Sequence, residues 1–318
     1  MLELDEKLLS SCDINCFIQA SIHEQAVEYM PYGVLIDDSF VRPVSPDSIF
    51  QIGSVSKLLT ACIVVSLSKK GLVDLHSRYH FFNSLELRGF SLHELLLHRS
   101  GIIGPSGYPG VENISLSAQL HSPLLTELSE YYSPKHQSVY HYCGINYRVI
   151  QRILEENVEA SFEDLLWEFI CKPLGLSQTT TSLSKFDRQF WIKGSDKNGM
   201  YLPGGFNLFT DCEAAAGIWS SASDLSKLMI ALLKSEKESD QSSFNITWRD
   251  LINTRTSGHY RFGCILDNNF PLKLGHSGRN PGFQSRFWFN PRNRAGVVLL
   301  WNNDKPSPLI DSSIVKHL

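Results

Sequence analysis

The apolar and polar positions divide the chain into three stretches with different spacing. Residues 14–22 and 33–36 are predicted to be two short strands, with polar residues and Pro31 between them. After Ser54 the apolar positions recur at helical spacing, and Gly71 follows where a C-capping glycine is expected. Further helical patterns cover residues 91–97, 123–130, 147–157, 161–170 and 223–233, and later strand patterns cover 262–266, 272–276, 283–289 and 295–301.

This order of strands, helices and strands predicts an α+β protein with an antiparallel sheet that is completed by both ends of the chain. We expect residues 1–53 and 213–318 to form the sheet domain, and residues 54–212 to form a mainly helical domain inserted into it. Residues 177–211 lack clear periodicity, so we expect long surface connections there, near a site. Ser223 is the expected N-cap of the last helix, with Asp224 at its positive end.

Composition narrows the class of protein. Of the 318 residues, 42% are hydrophobic and 19% are charged, which is typical of a globular chain. The net charge of −4 gives no basic field for nucleic acid or an anionic membrane surface. No stretch reaches the roughly 18 apolar residues of a membrane span, and residues 1–11 lack the basic and apolar regions of a signal peptide. We therefore expect a cytoplasmic protein with no nucleic-acid or membrane partner.

The cysteines give no indication of a metal or disulfide framework, because neither a CxxC pair nor zinc-site spacing occurs. We expect most of them to be small buried hydrophobic residues in a reducing compartment. No P-loop is present and no G-x-G-x-x-G opens a helix, so the sequence implies no cofactor and no metal. The seven cysteines are Cys12, Cys16, Cys62, Cys143, Cys171, Cys212 and Cys264.

Candidate chemistry lies in Ser54-Val-Ser-Lys57, at the first turn of the helix after the strand-like run 49–52. Residues three apart share a helix face, so Lys57 can reach the Ser54 hydroxyl. A hydroxyl is a poor nucleophile until a base takes its proton, and a partly desolvated lysine can act as that base. The backbone N–H groups of a helix N-terminus also suit an oxyanion on an attacked carbonyl. Spacing alone is weak support, because three other Ser-x-x-Lys matches occur, at residues 66–69, 182–185 and 313–316.

The segment Ser45-Pro-Asp-Ser-Ile-Phe-Gln-Ile-Gly-Ser-Val-Ser-Lys57 resembles the active-site segment of the serine β-lactamase/penicillin-binding-protein-like family. The branch that it resembles holds the class C β-lactamases, D-stereospecific peptidases and related esterases. Further segments resemble the family in the expected order, and together they span roughly residues 43 to 302. They are Leu95-Leu-Leu-His-Arg-Ser-Gly101, Tyr142-Cys-Gly-Ile-Asn-Tyr147, Pro173-Leu-Gly-Leu176, Ala216-Gly-Ile-Trp-Ser-Ser-Ala-Ser-Asp224 and Gly275-His-Ser-Gly278 with Pro281-Gly-Phe283.

The resemblance implies a β-lactamase/transpeptidase-like fold and a role for each matching residue. Ser54 aligns with the acylated nucleophile and Lys57 with its activating partner. Tyr142 aligns with the first position of the family's Tyr-x-Asn element, where a tyrosine oxygen relays protons. Gly144 replaces the asparagine whose side chain contacts the substrate amide, which favours a looser ester or small-amide substrate. Asn146, two residues later, is the residue that could compensate.

His276-Ser277-Gly278 aligns with the family's Lys-Thr-Gly strand in its His variant. A lysine supplies a fixed positive charge for a substrate carboxylate, whereas a neutral imidazole supplies mainly a hydrogen bond. Arg279 or Arg286 is the alternative carboxylate ligand. By resemblance, the backbone N–H groups of Ser54 and Arg279 form the oxyanion hole, and glycine at 278 lets the strand approach the substrate.

Three other features have simpler interpretations. We interpret His98 as a structural, hydrogen-bonded loop histidine, and Asp224 as a helix-capping residue. The segment 275–279 fails the G-x-S-x-G nucleophile elbow because Arg279 occupies its last position, so an α/β-hydrolase is rejected.

The sequence thus predicts a metal-free serine hydrolase that acts through an acyl-enzyme on an ester or amide bond of a small molecule or short peptide. Acyl transfer by the same intermediate, β-lactamase or D,D-peptidase activity, and a catalytically silent binding protein of the same fold remain as alternatives. The acyl group, the leaving group, the stereochemistry and the oligomeric state are left open.

Overall fold

The computed structural model describes residues 9–10, 13–37, 40–80, 89–106, 111–112, 124–209, 211–234, 243–254, 256, 258–267, 272–303 and 305. Within these residues, both ends of the chain build one seven-stranded antiparallel sheet, in the order β10-β11-β12-β13-β1-β2-β3. The predicted α+β class and antiparallel sheet are therefore confirmed. The sheet strands are β1 (Cys16–His23), β2 (Ala26–Asp37), β3 (Phe40–Pro43), β10 (Ile265–Asp267), β11 (Lys273–Asn280), β12 (Phe283–Asn290) and β13 (Ala295–Trp301).

The second strand is longer than its pattern predicts. Pro31 was expected to separate two short strands, but β2 runs through it. The reason is the position of Pro31 in the sheet: it pairs with Ile18 of β1, while β3 pairs only with residues 34–37 of β2. The missing N–H of Pro31 therefore lies on an edge that has no neighbouring strand among the described residues.

The sheet has two apolar faces. On one face, alternate residues such as Ile18, Val298 and Leu300 join the main core with the helices. On the other face, Phe17 and Trp301 belong to a smaller cluster. Because side chains alternate across a strand, β13 is buried along its whole length.

Helices pack on the face with the main core, and the central one is α1, whose residues from Ser56 to Leu67 are all buried. Gly71, at φ +71°, follows its end as predicted. No helix among the described residues has the length and apolar character needed to cross a membrane. The helices are α1 (Ser56–Lys69), α2 (Leu92–Leu96), α3 (Leu124–Tyr131), α4 (Ile145–Val158), α5 (Phe162–Leu166), α6 (Lys172–Leu174), α7 (Ala222–Leu232) and α8 (Trp248–Ile252).

Helix α7 begins two residues before the predicted position. Its N-cap is Ser221, which accepts a hydrogen bond from the backbone N–H of Asp224, so the prediction of Ser223 is wrong. The carboxylate of Asp224 is fully buried and accepts hydrogen bonds from the Gln178 backbone N–H and the Thr179 hydroxyl. Asp224 therefore ties α7 to the loop at 178–179, beyond the capping role expected of it.

Six short strands form three two-stranded sheets. These are β4 (Ile49–Gln51) with β9 (Trp219–Ser221), β5 (Ser100–Ile102) with β7 (Tyr132–Gln137), and β6 (Val111–Glu112) with β8 (Asn207–Leu208). The expectation of buried cysteines is confirmed for the six that the structure describes, all of which are free, while Cys12 lies outside the described residues.

Candidate active site

The candidate nucleophile lies on a tight turn between a strand and the central helix. Strand β4 ends at Gln51, and a 3-10 turn (Gly53–Val55) leads directly into α1. Gly53 has φ +50°, and a Cβ atom there would lie 2.7 Å from the backbone nitrogen of Arg279. This turn therefore requires glycine, and it leaves Ser54 partly exposed at the N-terminal end of α1.

Lys57 lies three residues after Ser54, in the first turn of α1, and its amine reaches the serine. Its Nζ lies 3.1 Å from Ser54 Oγ and 2.8 Å from the carbonyl oxygen of Ala215. The side chain is 1% exposed, so almost no water solvates the amine. Burial therefore lowers the pKa of Lys57 to about 7, although the nearby thiols of Cys143 and Cys212 oppose the shift. A sizeable fraction of this amine is neutral at neutral pH and can accept a proton.

Tyr142 precedes α4 and completes the group around the serine. Its phenol lies near enough to the Ser54 side chain for that side chain to lower the Tyr142 pKa, and Lys57 Nζ lies 5.2 Å from the centre of its ring. Burial raises the pKa of Tyr142 to about 12, and the nearby Ser54 side chain only partly offsets this. Tyr142 is therefore a phenol at neutral pH, and Lys57 is the candidate base. The structure brings all three predicted catalytic residues together.

Strand β11 lies against the nucleophile turn. A Cβ atom on Gly278 would lie 2.0 Å from the carbonyl oxygen of Ile52 and 2.3 Å from Ser285 Oγ, so only glycine permits this approach. The Ser285 hydroxyl donates a 2.6 Å hydrogen bond to the same Ile52 carbonyl. Strand β10 pairs only with residues 273–275, so the next part of β11 has no strand partner on that side among the described residues. The backbone of Arg279 is consequently held beside the residue that precedes Ser54.

His276 faces the helices from the same strand and is a neutral imidazole. Its Nδ1 donates a 2.7 Å hydrogen bond to the carbonyl oxygen of Ser277, and its Nε2 lies 3.3 Å from the Tyr260 hydroxyl. Burial and the charge of Lys57 lower the pKa of His276 to about 3. His276 therefore supplies no fixed positive charge, and its ring centre lies 5.9 Å from that of Tyr142.

Two residues expected to contact substrate have side chains on the other face of the sheet. The Ser277 hydroxyl accepts a 3.3 Å hydrogen bond from the Trp288 indole. The Arg286 guanidinium stacks over the Trp301 ring at 4.9 Å and donates to the Ser285 carbonyl. Both side chains therefore point away from the face that carries Ser54, because successive residues of a strand face opposite sides, and the contact of Ser277 and Arg286 with substrate stays a prediction.

Known proteins resemble most of this chain. The family model described as Beta-lactamase matches residues 22–313. This chain belongs to that family. The chain is 24% identical to penicillin-binding protein 4* of Bacillus subtilis over 83% of its own length and 63% of the relative, and 24% identical to a D-aminopeptidase of Cereibacter sphaeroides over 61% and 37%.

A solved class C β-lactamase from Rhodobacter sphaeroides superimposes on the chain with a TM-score of 0.72 at 18% identity, covering 98% of this chain and 97% of that one. The predicted β-lactamase/transpeptidase-like fold is thus confirmed. This chain spans about two thirds or less of the length of the two curated relatives described above.

Asn146 does not replace the asparagine side chain that the family has at the position of Gly144. Asn146 is fully buried, and its amide bonds the Ser100 hydroxyl at 2.6 Å and the Cys143 carbonyl at 3.2 Å. The interpretation that Asn146 compensates is therefore wrong, because its side chain is used inside the protein. His98 is buried and accepts a hydrogen bond from the Cys143 backbone N–H, as a structural histidine does.

Several groups that hold the site could not be identified from the sequence. The turn Glu213–Gly217 provides the Ala215 carbonyl for Lys57, and its Ala216 carbonyl accepts a hydrogen bond from Asn280. A backbone carbonyl has no signature in a sequence, although a run of three alanines and a glycine does indicate close backbone packing. Tyr260, which lies 3.3 Å from His276, stands between His259 and Arg261 and gave no signal in the sequence.

Proposed function

We propose that this protein is a serine hydrolase that forms an acyl-enzyme on Ser54 with an ester or amide of a small molecule or short peptide. The observation that carries the proposal is the position of Ser54 Oγ, which lies 3.1 Å from the buried Lys57 amine. The Tyr142 phenol lies beside the same serine. A nucleophile beside a base that is neutral near pH 7 is the arrangement that covalent catalysis requires.

The acylation step follows from these positions. Ser54 Oγ forms a bond to the substrate carbonyl carbon while its proton passes to Lys57, and the tetrahedral oxyanion accepts hydrogen bonds from the backbone N–H groups of Ser54 and Arg279. Tyr142 donates its proton to the departing alcohol or amine and regains one from Lys57. Water then attacks the ester carbon, its proton passes to the same groups, and Ser54 is restored as the alcohol.

The residues around His276 favour a substrate that has no carboxylate at this position. His276 is neutral and both of its ring nitrogens have partners, so it offers no cation to an anion. Gly144 offers no side-chain amide to a peptide bond. We therefore propose an ester or small amide as the substrate, with neither nucleic acid nor membrane as a partner and the cytoplasm as the location. The names of the relatives, a penicillin-binding protein and a D-aminopeptidase, keep β-lactams and D-amino acid amides among the compounds to test.

The test is intact-mass analysis after incubation with activated esters, β-lactams and D-amino acid amides. A mass increase equal to the acyl group, mapped to Ser54 and absent in Ser54→Ala, supports the proposal. Ser182→Ala is the matched control, because Ser182 and Lys185 have the same spacing on an exposed turn. Turnover that persists in Ser54→Ala contradicts the mechanism. Added alcohols or amines that divert the acyl group from water would indicate acyl transfer instead.

A further inference from the structure

A chain of buried polar side chains lies behind Tyr142. The Ser100 hydroxyl donates to Asn146 Oδ1 at 2.6 Å, and Asn146 Nδ2 lies 3.2 Å from the Cys143 carbonyl and 3.3 Å from His98 Nδ1. His98 Nδ1 also lies 3.2 Å from the backbone nitrogen of Cys143. The three side chains are each no more than 1% exposed, so the Ser100–Asn146–His98 chain is shielded from water.

The chain has a single consistent arrangement of hydrogens. A carbonyl can only accept, so the Asn146 nitrogen is the atom that faces Cys143, and the same nitrogen donates to His98. The Cys143 backbone N–H also donates to His98. Nδ1 of His98 therefore carries no proton, and the proton of this neutral imidazole is on Nε2, which has no hydrogen-bond partner among the described residues.

This imidazole contacts the candidate proton carrier in two ways. Its ring centre lies 4.5 Å from that of Tyr142, and its Nδ1 holds the backbone N–H of the next residue, Cys143. Helix α4 has Gly144 as its N-cap, with no side chain that could fix this end of the helix. His98 thus holds Tyr142 through one hydrogen bond to its neighbour and the shortest of its ring contacts, since the rings of Tyr260 and His276 lie farther away, at 5.8 and 5.9 Å.

We propose that His98 is a positioning residue for Tyr142, acting through its Nδ1 lone pair and held in register by Asn146 and Ser100. This inference rests on the proposed function, since it assigns a role in the acylation of Ser54. A small displacement of a proton carrier lowers the rate of the chemical step more than it affects substrate binding. Loss of the Nδ1 acceptor is therefore expected to lower kcat with little change in KM.

Two substitutions separate this role from simple packing. In His98→Asn, the side-chain oxygen occupies the place of Nδ1 and keeps the acceptor. In His98→Gln, the larger side chain fills more of the space but places its terminal atoms near the position of Nε2. Backbone strain is compared as well, because His98 has φ +54°, a conformation that asparagine tolerates better than glutamine. Melting temperatures of both variants are therefore measured, and rates are expressed per folded protein.

The experiment measures the rate of Ser54 acylation, and kcat and KM, for an activated ester found with the wild-type enzyme. We expect His98→Gln to lower kcat by about 100-fold with KM changed by less than about threefold, and His98→Asn to recover most of that loss. Ser100→Ala, which loosens the far end of the chain without touching Tyr142, is expected to show a smaller loss in kcat. His93→Gln is the control, because His93 is a half-buried histidine on α2 whose ring nitrogen hydrogen-bonds the Thr254 carbonyl, away from Tyr142.

The outcomes distinguish this inference from the proposed function. If wild-type protein forms no adduct on Ser54, the proposed function fails and the inference fails with it. If the wild type is acylated but folded His98→Gln and Ser100→Ala both keep the wild-type kcat, the inference alone is overturned. Equal losses in His98→Gln and His98→Asn overturn it as well, because they would show that the Nδ1 acceptor is irrelevant. Should His98→Gln fail to fold, Ser100→Ala alone decides between these outcomes.

Discussion

At the scale of single residues, the chemistry depends on the burial of one amine. Removal of water from Lys57 disfavours its charged form, while the hydrogen-bond partners described for it are the Ser54 hydroxyl and a backbone carbonyl. The same burial keeps Tyr142 protonated and His276 neutral. Three buried groups therefore titrate far apart, with pKa values of about 3, 7 and 12, and only Lys57 changes its charge near neutral pH.

The pH dependence of turnover follows from these values. The pKa of Lys57 is about 7, so at lower pH its amine is protonated and cannot accept the Ser54 proton. We therefore expect kcat/KM to rise about tenfold per pH unit up to pH 7 and to level off above it. The pKa of His276 is about 3, so its titration does not change kcat/KM in the pH range measured. The measurement is kcat/KM between pH 4.5 and 9.5 with a substrate that does not itself titrate. A rate that falls as the pH increases through 7 would exclude Lys57 as the base.

Replacement of Lys57 by methionine should separate function from stability. Lys57→Met removes the base, so we expect turnover to fall by about 10⁴-fold or more. It also removes an amine that is costly to bury, so the melting temperature should stay equal to that of the wild type or rise. Thermal unfolding and turnover at pH 6 and 8 check both parts. A much lower melting temperature, with activity retained, would mean that Lys57 is a structural residue.

Sequence spacing identified Ser54 and Lys57 because they are three residues apart where the 3-10 turn Gly53–Val55 continues into α1, and this spacing is about one helical turn. It could not establish which tautomer His276 adopts, because this depends on the Tyr260 hydroxyl and on the Ser277 carbonyl. It also misjudged Asn146, since a polar residue near a motif has the same sequence signal whether it faces the substrate or the interior. Positions along an element are predictable from periodicity, whereas hydrogen-bond partners from other elements are not.

At the scale of elements, the site depends on how closely strand β11 approaches the nucleophile turn. The start of α7 was predicted two residues late because Ser221 and Ser223 are equally good N-caps in sequence, and only the packing of Asp224 against residues 178–179 distinguishes them. Gly278 was predicted to let β11 approach the substrate, and in the structure it lets β11 approach the backbone of Ile52. Glycine on a strand indicates that another backbone comes near.

Substitution of that glycine should disable the site without unfolding the protein. In Gly278→Ala the added Cβ meets the Ile52 carbonyl at 2.0 Å, so β11 must move away from the turn and take the Arg279 N–H with it. We expect kcat to fall by about 10²–10³-fold, which is the effect of losing one oxyanion donor. Steady-state kinetics and thermal unfolding are the measurements.

The control for this substitution is Gly175→Ala. Gly175 has φ +62° and its Cβ would meet nothing within 4 Å, so its replacement strains the backbone but leaves kcat unchanged. Wild-type kcat in Gly278→Ala would show that the close contact between β11 and the turn has no part in catalysis.

At the scale of the whole molecule, the order of patterns predicted that both ends of the chain share one sheet, but the pairing of β1 with β13 could not be read from either strand alone. The main core runs without interruption from the sheet into the helices, from Ile18 of β1 to Leu154 of α4. The division into domains at residues 54 and 212 therefore stays a prediction. It can be tested by measuring whether the two parts unfold independently.

The last prediction concerns the contact between β1 and the segment that follows β13. Asn302, just after β13, accepts a 2.7 Å hydrogen bond from the Cys16 backbone N–H and donates one of 2.7 Å to the Lys193 carbonyl. Asn302→Ala removes the partner of one buried and one partly buried backbone group, which should lower the free energy of unfolding by about 2–5 kcal/mol. Because Asn302 touches none of the described site residues, the Ser54 acylation rate of the folded variant should match the wild type. Asn198→Ala, in an exposed turn, is the control and should change the free energy of unfolding by less than about 0.5 kcal/mol. A variant as stable as the wild type in urea unfolding would mean that the chain ends are joined by strand pairing alone.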